Sequence, residues 1–576
     1  MKDYMKIYEE WLNNPYFDEA TKEELRAIAG NENEIRERFY MDLEFGTAGL
    51  RGIIGAGINR MNIYVVRRAT QGLANYIIKQ GGQKKGVAIA YDSRHMSPEF
   101  AMEAAMTLAA NGIKAYKFES LRPTPELSFA VRELGCIAGI NITASHNPPE
   151  YNGYKVYWED GAQFTPPHDK GVTEEVLAIE DLSTVKTMDE ASAAAAGLYE
   201  VIGKEIDDRY IAQVKAQVVN QAAIDEMQDQ ITIIYTPLHG TGNIPARRVM
   251  KELGFTHVYV VPEQELPDGN FPTVSYPEAA EAFALGLKMA KEKDADLVLA
   301  TDPDADRLGV YVKDTKSGEY IPLTGNMSGS LLCEYVLSQK KAAGKIPADG
   351  QVVKSIVSTN LIDAVAKAYG VELIEVLTGF KWIGQQILKN ETTGHGTYLF
   401  GMEESYGCLI GTYARDKDAI SATAALCEAA AYYKKQGKTL WDAMVDMYEK
   451  YGYYRDAVKS IGLSGMEGLA KIQSIMENLR QNPPAEVGGY QVLSARDYKL
   501  DTIKDMTTGE VKPTGLPASN VLYYDMNDGA WICVRPSGTE PKIKFYYGVK
   551  GSSLEDADAK SAALGDAVKA LVDQMM

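Results

Sequence analysis

Short apolar runs, each closed by a polar turn, alternate with amphipathic stretches along most of the chain, and this rhythm predicts strands and helices in turn. Residues 86–91 (Gly-Val-Ala-Ile-Ala-Tyr) predict a strand. Ser97, Pro98 and Glu99 then supply an N-cap, a first-turn proline and an acidic residue for a helix through Ala110. Residues 231–236 predict a second strand, with a helix after the turn at Gly240-Thr-Gly242. Residues 352–357 predict a third, ahead of a helix that Asn360 caps and Gly370 ends. Small and β-branched residues over 136–142, and apolar runs over 296–300 and 530–534, predict further buried strands. The alanine-rich stretch 419–433 predicts a buried helix, and the charged amphipathic pattern over 1–38 a helical extension. Such alternation implies parallel or mixed sheets covered by helices. Asn482-Pro-Pro484 marks a late boundary, after which strands dominate.

Length and charge narrow the function. At 576 residues the chain is expected to form several domains, on the order of four at about 150 residues each. Its 45% hydrophobic and 24% charged residues are those of an ordinary globular protein. A net charge of −19 argues against nucleic acid or an anionic membrane as partner. A phosphorylated substrate meets the same repulsion, so its cleft must be locally basic; Arg51, Arg307, Lys381, Lys417 and Arg535 stand in polar, loop-like contexts that can supply this. The cysteines Cys136, Cys333, Cys408, Cys427 and Cys533 are scattered and form no C-x-x-C pair, as expected of reduced thiols in the cytoplasm. No apolar signal core or membrane-length apolar run is present in the sequence.

Three motifs carry the chemistry. Residues 141–155 place Ser145 in a polar turn directly after an apolar strand, with Pro148-Pro149 excluding helix and removing two backbone donors. Ser145 is thereby expected to be exposed as a nucleophile, in a turn held open by ring geometry. Asp302, Asp304 and Asp306 follow the apolar run 296–300 at alternate positions. In extended backbone they share a face, and their mutual repulsion calls for a cation between them. All-oxygen ligands select magnesium, manganese or calcium over zinc. An EF-hand loop is excluded, since Arg307 and Lys313 stand where glycine and glutamate are required. In the third motif, Arg535-Pro-Ser537-Gly538-Thr539, arginine offers a fork to phosphate, Gly538 a tight curve and two hydroxyls further donors. Neither a Walker loop nor a dinucleotide fingerprint is present.

Thr143-Ala-Ser-His-Asn-Pro148, Asp-x-Asp-x-Asp-Arg over 302–307 and Arg-Pro-Ser-Gly-Thr-Glu-Pro-Lys over 535–542 occur in the order expected of the α-D-phosphohexomutase superfamily. Thr378-Gly379-Phe-Lys381, Gly-Met-Glu403-Glu-Ser405-Tyr-Gly over 401–407 and Phe-Gly-Thr-Ala-Gly-Leu-Arg-Gly over 45–52 are also similar to its signatures. The resemblance covers roughly residues 40–550. It implies an α/β fold of four domains around a central cleft: three related mixed-sheet domains and a C-terminal α+β domain. The expected limits are 1–39 for the helical extension, then 40–205, 206–322, 323–450 and 451–576. By the same resemblance Ser145 is the serine that is phosphorylated, and Asp302, Asp304 and Asp306 bind Mg2+ together with a phosphoserine oxygen. Lys155 and Arg51 manage proton transfer, with His146 beside the serine. Glu403 and Ser405 contact sugar hydroxyls, while Arg307, Thr378, Gly379, Lys381 and Lys417 line the substrate. Arg535, Ser537, Gly538 and Thr539 grip the non-reacting phosphate.

The implied reaction interconverts glucose 1-phosphate and glucose 6-phosphate through glucose 1,6-bisphosphate, which turns end for end before returning a phosphate to Ser145. Gly407 stands where some relatives active on mannose phosphate carry histidine, and Glu403-Glu404-Ser405 with Lys417-Asp418 are closer to the glucose branch. Pro303 departs from the glycine common in the metal loop, a variation also found in relatives acting on pentose phosphates. Pentose and mannose phosphates are therefore alternatives. A metal-dependent sugar phosphatase and a non-catalytic sugar-phosphate sensor are the readings from other classes; hydrolysis needs no grip on a second phosphate, and a sensor needs no nucleophile.

Overall fold

A computed structural model describes residues 3–44, 49–273, 279–463, 465–537 and 542–575. The chain divides into two compact units. One comprises Met1–Pro322 with Ile383–His395 and Gly407–Gly437, the other Leu323–Trp382, Gly396–Tyr406 and Lys438–Met576.

The first unit holds two mixed sheets. In the first, β1 (Leu50–Ile53), β2 (Val87–Tyr91), β3 (Ala115–Phe118), β4 (Ala138–Ile142), β5 (Tyr151–Trp158) and β6 (Tyr199–Ile202) are ordered β1-β5-β4-β2-β3-β6. β2 and β4 run parallel and every residue in both is buried, so neither shows polar alternation. β5 returns antiparallel to β4, pairing Lys155 with Asn141, and β1 pairs antiparallel with β5, placing Arg51 opposite Gly153. Gly49 is required at the start of this edge, because a Cβ there would overlap the Tyr154 carbonyl. The helices Ile63–Lys79 and Ser97–Ala110 contribute Leu73, Ile77, Phe100 and Leu108 to the core over these strands.

In the second sheet, β7 (Thr232–Thr236), β8 (His257–Val260), β9 (Leu297–Thr301), β10 (Leu308–Lys313) and β11 (Tyr320–Leu323) are ordered β11-β10-β9-β7-β8. β9 is wholly buried and turns back antiparallel into β10, Thr301 facing Leu308 across the loop that carries the aspartates. The N-terminal extension consists of three short helices, Tyr4–Asn13, Glu19–Ala27 and Glu32–Phe39. They bury Trp11, Phe17, Leu25 and Phe39 with Tyr64. The helix Ala419–Lys435 is buried over most of its length, as its alanines predict.

In the second unit, β12 (Gly350–Ser355) lies between β13 (Glu372–Val376) and β14 (Thr397–Glu403), parallel to both. Its C-terminal sheet is antiparallel. Tyr453–Gly462 pairs along its whole length with Lys542–Gly551, so Asn482-Pro-Pro484 lies inside this domain rather than at its edge. The helices Gly465–Gln481 and Leu554–Asp573 cover the sheet with Ile472, Ile475, Leu479, Leu564 and Val568.

Some local expectations shift. Ser97 is the first helical residue, not the cap: Met96 caps the helix in a left-handed conformation, and the Ser97 hydroxyl donates to Asp92 instead. The third predicted strand ends at Ser355, two residues early. Asn360 precedes its helix without a side-chain cap bond, because its Oδ1 accepts from the buried Lys354 ammonium; Gly370 ends that helix at φ +67 as expected.

Candidate active site

Ser145 follows β4 and Asp302 follows β9, so the ends of two central strands bring them together. The Ser145 hydroxyl donates to Asp302 Oδ2 at 2.9 Å and lies 3.3 Å from His146 Nδ1. Contrary to the expectation of an exposed nucleophile, Ser145 is only 2% accessible. The proline rings are not alone in holding its loop. Arg94, fully buried, donates to the carbonyls of Ser145 (2.7 Å), Pro148 (2.7 Å), Tyr151 (3.0 Å) and Asn147. Asp92 stands 3.3 Å from Arg94 Nε, and Phe271 lies against the guanidinium. The Ser145 amide donates to Thr143 Oγ1 at 2.8 Å.

Asp302, Asp304 and Asp306 offer oxygens within 4.8 Å of one another. They converge through a curled turn and not through the extended backbone the alternation suggests. Ala305 adopts φ +50, its amide donates to the Asp302 carbonyl, and Asp302 Oδ1 accepts the amides of Asp306 and Arg307 at 3.1 Å each. A compact turn gathers three carboxylates more tightly than a strand, where alternate side chains stand roughly 7 Å apart. The loop is pinned from both sides: the Thr124 amide donates to the Asp304 carbonyl and the Thr241 amide to the Pro303 carbonyl. Gly240 is needed there because a Cβ would lie 2.5 Å from Pro303 Cα.

Both oxygens of Asp302 accept hydrogen bonds, whereas Asp304 and Asp306 each have one oxygen tied. Asp304 Oδ2 accepts from Lys155 Nζ (2.9 Å) and Thr124 Oγ1 (2.8 Å), and Asp306 Oδ2 lies 3.1 Å from Lys417 Nζ. Asp304 Oδ1 and Asp306 Oδ1 are buried and without a hydrogen bond, and Arg307 Nε stands 3.6 Å from the latter. Buried orphan carboxylate oxygens facing a third carboxylate fit a divalent cation, which would take oxygen ligands there. Burial, reinforced by Asp304 and Asp306, pushes Asp302 well above the usual carboxylate range. Burial would also raise Asp304, but Lys155 and Thr124 outweigh it and hold this group well below that range. Arg51 Nη1 donates to Asn147 Oδ1 at 2.7 Å. Burial and then Arg307 and Arg51 hold His146 well below its ordinary value, so its imidazole is neutral near pH 7.

The remaining expected residues belong to the second unit. Glu403 ends β14 and its Oε1 accepts the Gly379 amide at 2.7 Å. The Thr378 hydroxyl beside it is buried without a hydrogen bond. Ser405 is half-buried in the turn that follows, and Lys381 Nζ lies 5.3 Å from the centre of the Trp382 ring. Arg535 pairs with Lys544 near the end of Trp531–Pro536, and the Ser537 amide donates to the Lys542 carbonyl at 2.7 Å. Gly538 and Thr539, like residues 45–48, lie outside the described residues.

Sequence reasoning missed Arg94, Asp92, Thr124 and Glu404. Asp92-Ser-Arg94 directly after a predicted strand was the available signal, since strand ends in open α/β sheets are where sites form. Breaking the Arg94 collar by Arg94→Met is expected to cost at least about 3 kcal/mol of stability, because Asp92 would be left buried without its cation. Thermal unfolding checks this, and an unchanged midpoint would contradict it.

Glu404 lies within reach of Arg535, and its Oε2 accepts from Ser355 at 3.2 Å. Burial and the neighbouring Glu403 push its carboxyl up to about 7. A carboxyl raised by folding binds extra protons in the folded chain, so the stability it supports at low pH is lost as pH rises toward 7. Glu404→Gln is therefore expected to raise the unfolding midpoint at pH 8 and leave it nearly unchanged at pH 5. A lower midpoint at pH 8 would reverse the assignment.

A mixed α/β fold that gathers a serine hydroxyl, a lysine ammonium and three carboxylates is suited to phosphoryl transfer. All four domains of the phosphoglucomutase/phosphomannomutase family match in order: α/β/α domains I, II and III over residues 42–183, 208–318 and 324–451, and the C-terminal domain over 474–562. The chain belongs to this family, whose members are isomerases. It is 36% identical over 533 residues to a phosphoglucomutase of Staphylococcus aureus strain MRSA252, covering 92% of this chain and 94% of that one. It is also 36% identical over 527 residues to a phosphoglucomutase of Staphylococcus saprophyticus, covering 91% and 94%. Two solved structures share the fold at low identity. One is pp63/parafusin, a phosphoglucomutase from Paramecium in an open form (TM-score 0.66, 17% identity, 93% of this chain and 96% of that one). The other is a phosphoglucomutase/phosphomannomutase family protein from Burkholderia thailandensis (TM-score 0.63, 20% identity, 92% and 97%). Among the described residues no helix is long and apolar enough to cross a membrane.

Proposed function

We propose that this chain interconverts glucose 1-phosphate and glucose 6-phosphate, with Ser145 as the phosphoryl carrier, Mg2+ on Asp302, Asp304 and Asp306, and glucose 1,6-bisphosphate as the intermediate. The observation that carries the reading is the Ser145 hydroxyl at 2.9 Å from Asp302, beside two buried carboxylate oxygens with no hydrogen bond. The relatives named phosphoglucomutase at 36% identity support glucose as the sugar. When bound, the divalent ion would offset charge on the transferring phosphoryl group.

Around it the chain's own groups do the rest. Lys155, fixed on Asp304, is placed to pass a proton to or from the sugar oxygen and to neutralise phosphoryl charge. Arg51 and Arg307 add cations, and the neutral His146 holds Nδ1 3.3 Å from the serine hydroxyl. Arg94 fixes the loop so that little reorganisation accompanies transfer. Glu403 and Ser405 are assigned to the sugar hydroxyls, and Arg535, Ser537, Gly538 and Thr539 to the phosphate that does not react. Buried cysteines that form no disulfide among the described residues suit a reducing compartment, and we place the protein in the cytoplasm on that ground.

Dephosphorylated protein given glucose 1-phosphate should form glucose 6-phosphate only once trace glucose 1,6-bisphosphate is added, and Arg535→Ala should slow both directions by about 100-fold or more. Parallel assays with mannose 1-phosphate and ribose 1-phosphate rank the sugars. Stoichiometric release of inorganic phosphate without isomer would replace this reading with hydrolysis.

A further inference from the structure

Lys417 lies across Gly407, and the absence of a side chain at 407 is what gives it room. A Cβ built on Gly407 would overlap Lys417 Cδ, stand 2.6 Å from its Cγ and 3.1 Å from its Cβ, so the whole lysine stem is in the way. The backbone at 407 is outside the left-handed region, so alanine is excluded by space and not by conformation. Three segments meet here. The Asp418 amide donates to the Cys408 carbonyl at 2.8 Å, and the Ala419 amide to the Ala305 carbonyl of the aspartate turn at 3.2 Å. Lys417 has little freedom to move away as a body, because the amides of the two residues that follow it are bonded to both neighbouring segments. At its far end Nζ lies 3.1 Å from Asp306 Oδ2 and 3.1 Å from Asp416 Oδ1. Asp416 is in turn fixed by the Tyr157 hydroxyl at 2.8 Å, and the ammonium is almost fully buried.

We propose that Gly407 is a positioning residue for the metal centre: by leaving its Cβ space to the Lys417 stem, it seats an ammonium on Asp306 that turns the other carboxylate oxygen toward Asp302 and Asp304 and holds down the affinity for the divalent ion. The inference rests on the reading of these carboxylates as metal ligands. A side chain at 407 forces Lys417 off Asp306, with two opposed consequences. The carboxylate loses its orienting partner, a loss worth about ten- to hundredfold in metal affinity. The ion also loses a like charge a few ångströms away in a buried site, which favours binding more strongly than that. The second effect wins, so the ion binds tighter while the geometry for transfer loosens.

The test titrates Mn2+ against the full-length protein, reading free Mn2+ by electron paramagnetic resonance. It compares wild type, Gly407→Ala, Lys417→Ala and the double variant. Gly407→Ala and Lys417→Ala should each tighten Mn2+ binding on the order of tenfold, and the double variant should match Lys417→Ala alone, because no stem beyond Cβ remains to be displaced. Wild-type protein that binds no Mn2+ would remove the metal reading itself. Wild-type binding with Gly407→Ala unchanged, or with the two effects adding in full, would overturn the role of Gly407. Should Gly407→Ala alone fail to fold, recovery of folding in the double variant supports the steric account, and failure of both refutes it.

Discussion

Asp304→Asn is expected to lower kcat by about 1,000-fold or more, with the fold intact by circular dichroism. Asparagine keeps the shape of the side chain and its bond to Thr124, but it removes the charge that faces Lys155 at 2.9 Å and weakens the oxygen left for the ion. Asp302→Asn and Asp306→Asn should fall in the same range, since each supplies an oxygen to the same cluster. Excess chelator should abolish turnover in the unaltered protein, and added Mg2+ should restore it. Full activity in chelator would remove the metal from the mechanism.

Ser145→Ala is expected to be more damaging still, by about 10,000-fold or more, because no other group stands where the hydroxyl does. Peptide mass spectrometry of purified protein should find phosphate on Ser145 at less than one per chain, and none at that peptide in the variant. A variant with full activity, its phosphate on a different serine, would refute the assignment. The two losses should not add if, as proposed, carrier and ion serve one step, since removing either then leaves the other idle.

Much of the fold was legible because the buried strands announce themselves. The runs before Ser145 and before Asp302 contain no polar residue at a position that faces solvent, and β2, β4 and β9 are indeed buried throughout. Sequence-adjacent chemistry was equally readable: the three aspartates sit within five residues of one another and meet in space. What escaped was anything settled by distance in the chain. Arg94 lies some fifty residues from the loop it collars, and nothing in its own neighbourhood says that its guanidinium will face four carbonyls. The exposure of Ser145 was misjudged for the same reason, since Asp302, which accepts its hydroxyl, follows a strand of a different sheet. The turn geometry of the aspartates was hidden because alternation along a strand and curling in a loop produce the same spacing in sequence. Ser97 was misplaced by one position because Asp92, five residues back, competes for its hydroxyl.

The backbone of Ser145 sits at φ +52, in the left-handed region. Serine tolerates this; threonine, branched at Cβ, is a severe outlier there. The two residues offer the same hydroxyl, and a single base change often separates their codons. Yet Ser145→Thr should leave an inactive or misfolded loop, so the identity of the nucleophile is guarded by main-chain stereochemistry as much as by reactivity, and drift between the two hydroxyl amino acids is closed at this position.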